Sequence, residues 1–242
     1  MSKKQLFLTV DTETTQDQKV ADFGAVVCDR KGNIVNQCAC LVNGIYTDTQ
    51  NHPLFFTSDP AGIWSKKGQD NRYNVYAKML ESGSRMLASV GAINRWLDKV
   101  KAEYNPILTA YNLPFDLDKC KNTGIDLTQF SSFCLWSAAY SQWANTRAYK
   151  NMALQLHAFN APTDLGNMTF KTNAETMARF VLNNPALPDE PHTALEDAIF
   201  YELPILVKLL KVKKITAKGL IEYPPGSYNW RNCQVRDHFT AK

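Results

Sequence analysis

Four acidic side chains in this 242-residue chain stand at three places where spacing and context suit chemistry. Asp11 and Glu13 lie two apart at the end of the apolar run Leu6-Phe7-Leu8-Thr9-Val10. Asp116 closes Tyr111-Asn112-Leu113-Pro114-Phe115-Asp116, and Asp197 closes His192-Thr193-Ala194-Leu195-Glu196-Asp197. Carboxylates gathered in one site repel each other and are costly to desolvate, so a fold that collects them needs a counter-charge. Two divalent cations would supply it, and hard Mg²⁺ or Mn²⁺ prefers oxygen ligands. Convergence of these acids would make the chain a candidate for cleaving phosphodiester bonds.

Each pattern also has a plainer reading. On a strand, residues two apart leave the same face, so Asp11 and Glu13 can sit side by side. The same segment fits a strand-end turn with solvated acids. Asp116 follows Pro114, which pushes the preceding residue out of helical geometry and ends the strand near Leu113. An aspartate there is also a good helix N-cap. His192 and Asp197 are five apart, about 140° around an α-helix, and would not share a face if both were helical. With His192 in the preceding loop, it can swing over a site that Asp197 faces from the first helical turns. A histidine titrates near neutral pH and can take a proton from water. A surface histidine after a Pro-rich loop is the alternative.

Several elements must position these residues. Residues 5–11 read as a buried strand, Lys19 to Cys28 as a second, and Ile34 to Val42 as a third across the turn signal Asp29-Arg30-Lys31-Gly32-Asn33. Residues 43–72 read as a long irregular excursion carrying Phe55, Phe56 and Trp64, and long loops in compact domains are often functional. Phe55 and Phe56 suit either base stacking or a core. Met86, Val90, Ile93, Leu97 and Val100 recur at helical spacing. Ile107 to Tyr111 reads as a strand, 116–121 as the start of a helix stopped near Gly124, and Phe130 to Trp136 as another strand with helix possible beyond it. Asn173 to Leu182 reads as a short helix, and 183–191, with three prolines, as a loop. From His192 to about Leu210 the pattern is helical, with Pro204 predicting a kink. This order predicts an α/β fold: a mixed sheet with an antiparallel hairpin edge and covering helices.

Composition narrows the class. Hydrophobic residues make up 45% and charged residues 21%, ordinary for a soluble globular protein. No run reaches the ~18 apolar residues of a membrane span, and the apolar run after the basic start is too short for a secretory signal. The expectation is a cytoplasmic protein with no membrane partner. Its six cysteines fit reduced structural thiols, since Cys38 and Cys40 have no second pair to complete a zinc site. From Val207 onward there are eight basic residues against two acidic ones, so the net +4 hides a basic C-terminal segment behind an acidic body. Such a segment suits a phosphate backbone or a solvated helix face with a tail. The predicted organisation is a catalytic domain over 1–212 and a basic tail over 213–242.

Together, in this order, the three patterns resemble the DEDDh group of 3′–5′ exonucleases in the ribonuclease H-like superfamily. The first motif stands as Asp11-Thr12-Glu13-Thr14-Thr15, the glycine-containing second strand as Asp22 to Val27, the second motif as Asn112 to Asp116, and the third as His192 to Ala198. Gln16 stands where the family usually has glycine, and Leu135-Trp136-Ser137 where it often has an acid followed by threonine. The resemblance covers about residues 5–210 and is sparse over 43–85 and 120–170. It implies a ribonuclease H-like sheet with helices on both faces. It implies that Asp11, Glu13, Asp116 and Asp197 hold two Mg²⁺ or Mn²⁺ ions and that His192 is the general base. It implies release of nucleoside 5′-monophosphates from DNA or RNA 3′ ends, with Thr14, Thr15 and Asn112 against the substrate. The alternatives are a non-catalytic nucleic-acid or protein-binding module on the same fold and an editing subunit of a separate polymerase. The partner in the first reading is single-stranded nucleic acid or a 3′ end.

Overall fold

The computed structural model describes residues 5–162, 166 and 168–212. The basic tail expected over 213–242 lies outside the described residues. Six strands form one mixed sheet in the order β4-β3-β2-β1-β5-β6. They are β1 Phe7–Thr14, β2 Val20–Cys28, β3 Ile34–Val42, β4 Met86–Ala88, β5 Ile107–Ala110 and β6 Ser132–Cys134. β1, β2 and β3 form an antiparallel meander, while β5 runs parallel to β1, β6 to β5, and β4 to β3. β4 therefore adds one short parallel strand outside the expected hairpin.

The sheet sorts its side chains by alternation. Leu8 and Val10 face a core shared with helices α2 (Val90–Tyr104) and α3 (Leu113–Thr123). Phe7 faces the opposite core, built from α4 (Leu135–Ala139), α5 (Arg147–Gln155), α6 (Ala174–Leu182), α7 (Ala194–Asp197) and α8 (Leu203–Val212). β2 is buried along its whole length, as expected of a strand covered on both sides. Burying one Leu- or Val-sized side chain is worth about 1.5–3 kcal/mol, so these two cores dominate what holds the sheet.

Five expectations are corrected. The first strand extends past Asp11 to Thr14, so both motif acids lie within it. The excursion ends earlier than composition suggests, because α1 spans Lys66–Ser82 with the Ser65 hydroxyl accepting from Gly68 N–H and Gly83 closing it at φ 74°. That helix carries Asn, Asp and Arg on a weakly amphipathic surface, so no apolar stripe announces it; capping at both ends defines it. Met86 is not on the α2 face: it is 66% exposed in β4, and Ser89 caps the helix that follows. Strand β6 is only three residues long, since Cys134 already serves as the N-cap of α4. Asp116 is not an N-cap. Asn112 holds that position at φ 74°, makes no side-chain cap bond, and is followed by Pro114 in the first turn; Asp116 sits one turn in.

The expected kink at Pro204 takes a specific form. α7 continues into a π-helical segment, Ala198–Glu202, before α8 resumes. A proline cannot donate the backbone bond of a regular turn, and π turns absorb such a defect. Cys28, Cys38, Cys40, Cys120 and Cys134 are free thiols, with the Cys38 and Cys40 sulfurs 3.9 Å apart on the same face of β3.

Candidate active site

The end of β1 carries the site. Odd-numbered Asp11 and Glu13 point toward the face covered by α7, following Phe7 and Thr9, while Thr12 points toward α3. There the Thr12 hydroxyl donates to Asp116 Oδ1 at 2.8 Å, fixing the α3 acid against the strand. Asp197 arrives from α7, where its Oδ2 accepts from its own Thr193 N–H at 3.0 Å.

α7 can reach the sheet because β2 offers no side chain at Gly24. A Cβ there would lie 2.3 Å from both the Ala194 carbonyl carbon and the Leu195 nitrogen, an impossible contact. Asp22, two residues earlier on β2, accepts from Ala194 N–H at 2.9 Å. Arg85 ties this junction together. Its Nε is 3.0 Å from Asp22 Oδ1, and its guanidinium also pairs with the Glu196 carboxylate. The first turn of α7, and with it Asp197, is thus anchored by three buried or half-buried charged side chains.

His192 precedes α7 in a left-handed backbone conformation, φ 54°. Its Nδ1 lies 3.7 Å from Glu13 Oε1. The ring of Trp64 packs on it with centroids 4.6 Å apart, and the guanidinium of Arg72, on α1, lies 4.6 Å from the Trp64 ring centroid. Burial disfavours the charged imidazolium, yet the Glu13 and Glu190 carboxylates outweigh it and hold the His192 pKa above its ordinary 6.5. Glu13, His192 and Asp197 each present a ligand atom within 4.8 Å of the others.

Two cavities meet at this cluster. One, of about 510 Å³, is lined by Thr12, Thr14, Phe55, Trp64, Phe115 and Asp116. The other, of about 480 Å³, is lined by Trp136, Tyr140, Phe170, Glu190, Asp197 and Glu202. Asp11, Glu13, Tyr111, Asn112 and His192 line both and form the wall between them. All five residues expected to do chemistry therefore border one continuous region. Among the described residues, neither cavity is lined by a lysine or an arginine.

The electrostatics are those of uncompensated acids. Burial, then the charges of neighbouring carboxylates led by Glu202, push Asp11 well above the usual carboxylate range. Burial raises Asp116 to about 8 despite the Thr12 hydrogen bond, and burial with Glu190 and Glu13 nearby raises Asp197 to about 9. Asp11 Oδ2, Asp197 Oδ1 and Glu202 Oε2 are buried and have no hydrogen-bond partner among the described residues. Buried polar atoms are normally satisfied, and these three oxygens line one cavity with lone pairs available to a ligand. Hard oxygen donors with free lone pairs are what Mg²⁺ or Mn²⁺ takes, and the donor set fits such ions.

The expected substrate residues fall out differently. Thr14 and Asn112 line the first cavity. Thr15 is fully buried, and its hydroxyl donates to Asp17 Oδ1 at 2.7 Å. Gln16, at the position where glycine is usual in the resembled family, ties the excursion to the end of β1: its backbone N–H donates to Pro53 and its amide to the Phe56 carbonyl. Phe55 N–H in turn donates to the Thr14 carbonyl at 2.9 Å. The excursion thereby becomes a wall of the site through Phe55 and Trp64, whereas Phe56 lies outside the cavity under Lys66.

Sequence reasoning missed Glu190 and Glu202. Burial raises Glu190 to about 7, and burial with the Asp116 charge holds Glu202 well above the usual range. Glu190 follows Pro188 in the loop before His192, and Glu202 stands two residues before Pro204; those prolines are the local signals that bend the chain at each.

No protein-family profile matches this sequence, and no curated protein matches it. Among solved structures, the chain is similar to exonuclease I bound to the inhibitor BCBP, with TM-score 0.48 and 14% identity over 88% of this chain and 42% of that one. It is also similar to E. coli exonuclease I bound to a 5cy-dT13 oligonucleotide, with TM-score 0.42 and 15% identity over 87% of this chain and 41% of that one. The chain spans about two-fifths of the length of these structures.

Proposed function

We propose that this chain is a metal-dependent 3′–5′ exonuclease of the DEDDh type, releasing nucleoside 5′-monophosphates from nucleic-acid 3′ ends. The observation that carries the reading is the cluster of Asp11, Glu13, Asp116 and Asp197 beside His192, with unpartnered buried oxygens and, among the described residues, no lysine or arginine lining the cavities. Asp11, Glu13, Asp116 and Asp197 would hold two Mg²⁺ or Mn²⁺ ions. Bound there, the ions would lower the pKa of water and neutralise charge that develops on the phosphoryl group.

The chain's own residues account for the rest. His192 takes the proton of the attacking water, and its position depends on Trp64 against one ring face and on Glu13 at Nδ1. The Glu13 carboxylate that raises its pKa also steadies the imidazolium formed by that transfer. Asn112, Phe115 and Thr14 border the cavity beside Asp116, where a terminal nucleotide would be held, and Phe55 offers an aromatic face to its base. Aromatic stacking tolerates any base, in keeping with stepwise removal of successive nucleotides. The three motifs, in their order and spacing, support the same assignment. Incubation of the purified chain with 3′-labelled strands and Mg²⁺ tests it: labelled 5′-mononucleotide is expected, and its absence with both DNA and RNA would refute it.

A further inference from the structure

Glu202 belongs to none of the three motifs, yet it is 2% exposed and lines the same cavity as Asp11, Glu13 and Asp197. It lies five positions after Asp197. In a regular α-helix that spacing turns about 140° and would carry it away from the site. The π-helical segment Ala198–Glu202 changes this. Its bonds close between residues five apart, so Asp197 and Glu202 come to the same side of the helix. Pro204, which has no N–H to give, is the local cause of the wider turn.

The two carboxylate oxygens have different surroundings. Oε1 accepts the Tyr111 N–H at 3.0 Å, at the junction between β5 and the turn that leads into α3. Oε2 is buried without a partner among the described residues. Glu202 and Asp11 line the same cavity, and each has one buried oxygen without a partner among the described residues. Accepting one backbone N–H requires only a neutral acceptor, which glutamine would provide at the same length. A carboxylate at that place adds repulsion to a site already rich in acids, so its charge needs a reason beyond the Tyr111 bond.

We propose that Glu202 is a fifth carboxylate of the cation site, with Oε1 fixed by Tyr111 and Oε2 available to a divalent cation beside Asp11. This rests on the cation-holding reading of the site given above. Held from both β5 and the π turn, Glu202 also couples the strand end that leads to Asp116 with the helix that carries Asp197. Loss of its charge would therefore weaken cation binding without loosening the fold.

Mn²⁺ binding to the full, chelator-stripped chain tests this by calorimetric titration, with thermal unfolding measured in parallel. The proteins are the unaltered chain, Glu202→Gln, Glu202→Asp and Asp11→Asn. Glu202→Gln keeps the Tyr111 acceptor and should leave the metal-free melting temperature unchanged or higher. Its Mn²⁺ affinity should fall tenfold or more, and the Mn²⁺-induced rise in melting temperature should shrink. Glu202→Asp keeps the charge but withdraws the oxygen by one methylene, and its Mn²⁺ affinity should fall several-fold. Mn²⁺ affinity of Glu202→Gln within twofold of the unaltered chain would overturn the proposal. So would unaltered affinity in Glu202→Asp, which would reduce the role to distant charge. Absence of Mn²⁺ binding by the unaltered chain, indistinguishable from Asp11→Asn, would overturn the broader reading as well. Normal Mn²⁺ binding by the unaltered chain together with an unaffected Glu202→Gln would remove only the role of Glu202.

Discussion

At the scale of residues, the carboxylates are unequal because their surroundings differ. Asp116 has the Thr12 hydroxyl, Asp197 has the Thr193 N–H, and Asp11 keeps a buried oxygen with no partner. Asp11→Asn should therefore abolish nuclease activity while leaving the melting temperature equal or higher in the absence of metal, since one repelling charge is gone. A lower metal-free melting temperature in that variant would assign Asp11 a structural role instead. His192 depends on an aromatic neighbour that motif reasoning does not reach. Trp64→Ala should lower the rate by about tenfold to a hundredfold through loss of ring position, a part of the roughly 10²–10⁴-fold that general base catalysis contributes. Its pH–rate profile should also shift, because the burial that opposes the imidazolium is reduced; an unmoved profile would show that Trp64 only packs. Asp11, Glu13, Asp116, His192 and Asp197 could be singled out as candidates because each lies inside a local pattern, and the fold brings them to the border of one region. Glu202 and Trp64 were illegible as site residues because a π turn and a helix-tethered excursion bring them in, and neither leaves a periodic trace.

At the scale of elements, the site depends on how closely α7 sits on β2. Gly24 permits that approach, and Gly24→Ala should displace α7 from the sheet. The expected result is lost activity together with a lower melting temperature, measured by circular dichroism. Arg85 has a different task, pairing with both Asp22 and Glu196. Arg85→Met would leave Asp22 buried and unpaired, and breaking such a pair costs about 3–5 kcal/mol. Chemical denaturation should register that loss, and a change below about 1 kcal/mol would mean the network is dispensable. The strands β1, β2 and β3 were readable from apolar runs and the Asp29–Asn33 turn. Helix α1 and strand β4 were not. α1 is polar and held by its caps, and β4 is three residues, two of them exposed, whose strand character comes from pairing with β3.

At the scale of the whole molecule, the acid cluster sets how stability depends on pH. Asp116 at about 8 and Asp197 at about 9 titrate in the folded state well above their ordinary 3.8. The folded state then binds more protons than the unfolded one, and its stability falls as pH rises between about 4 and 9. A cation that binds only the folded state opposes this and gains most at high pH, where the acids are charged. Melting temperature in chelator should decline from about pH 5 to about pH 9, and excess Mg²⁺ should remove most of that decline. Equal slopes with and without Mg²⁺ would contradict cation binding at these acids. No helix among the described residues is long and apolar enough to cross a membrane. The two cores follow from alternation along β1, so the fold class was legible, while the walls of both cavities come from the packing of the excursion and the segment around Phe170. The central claim is directional hydrolysis at this cluster. It is tested by digesting a 5′-labelled and a 3′-labelled single strand with the unaltered chain and with Asp197→Ala, in Mg²⁺ and in chelator. The account predicts a ladder shortening from the 3′ end, 5′-mononucleotide from the 3′ label, and neither product with chelator or with Asp197→Ala; internal cleavage, or equal activity in Asp197→Ala, would contradict it.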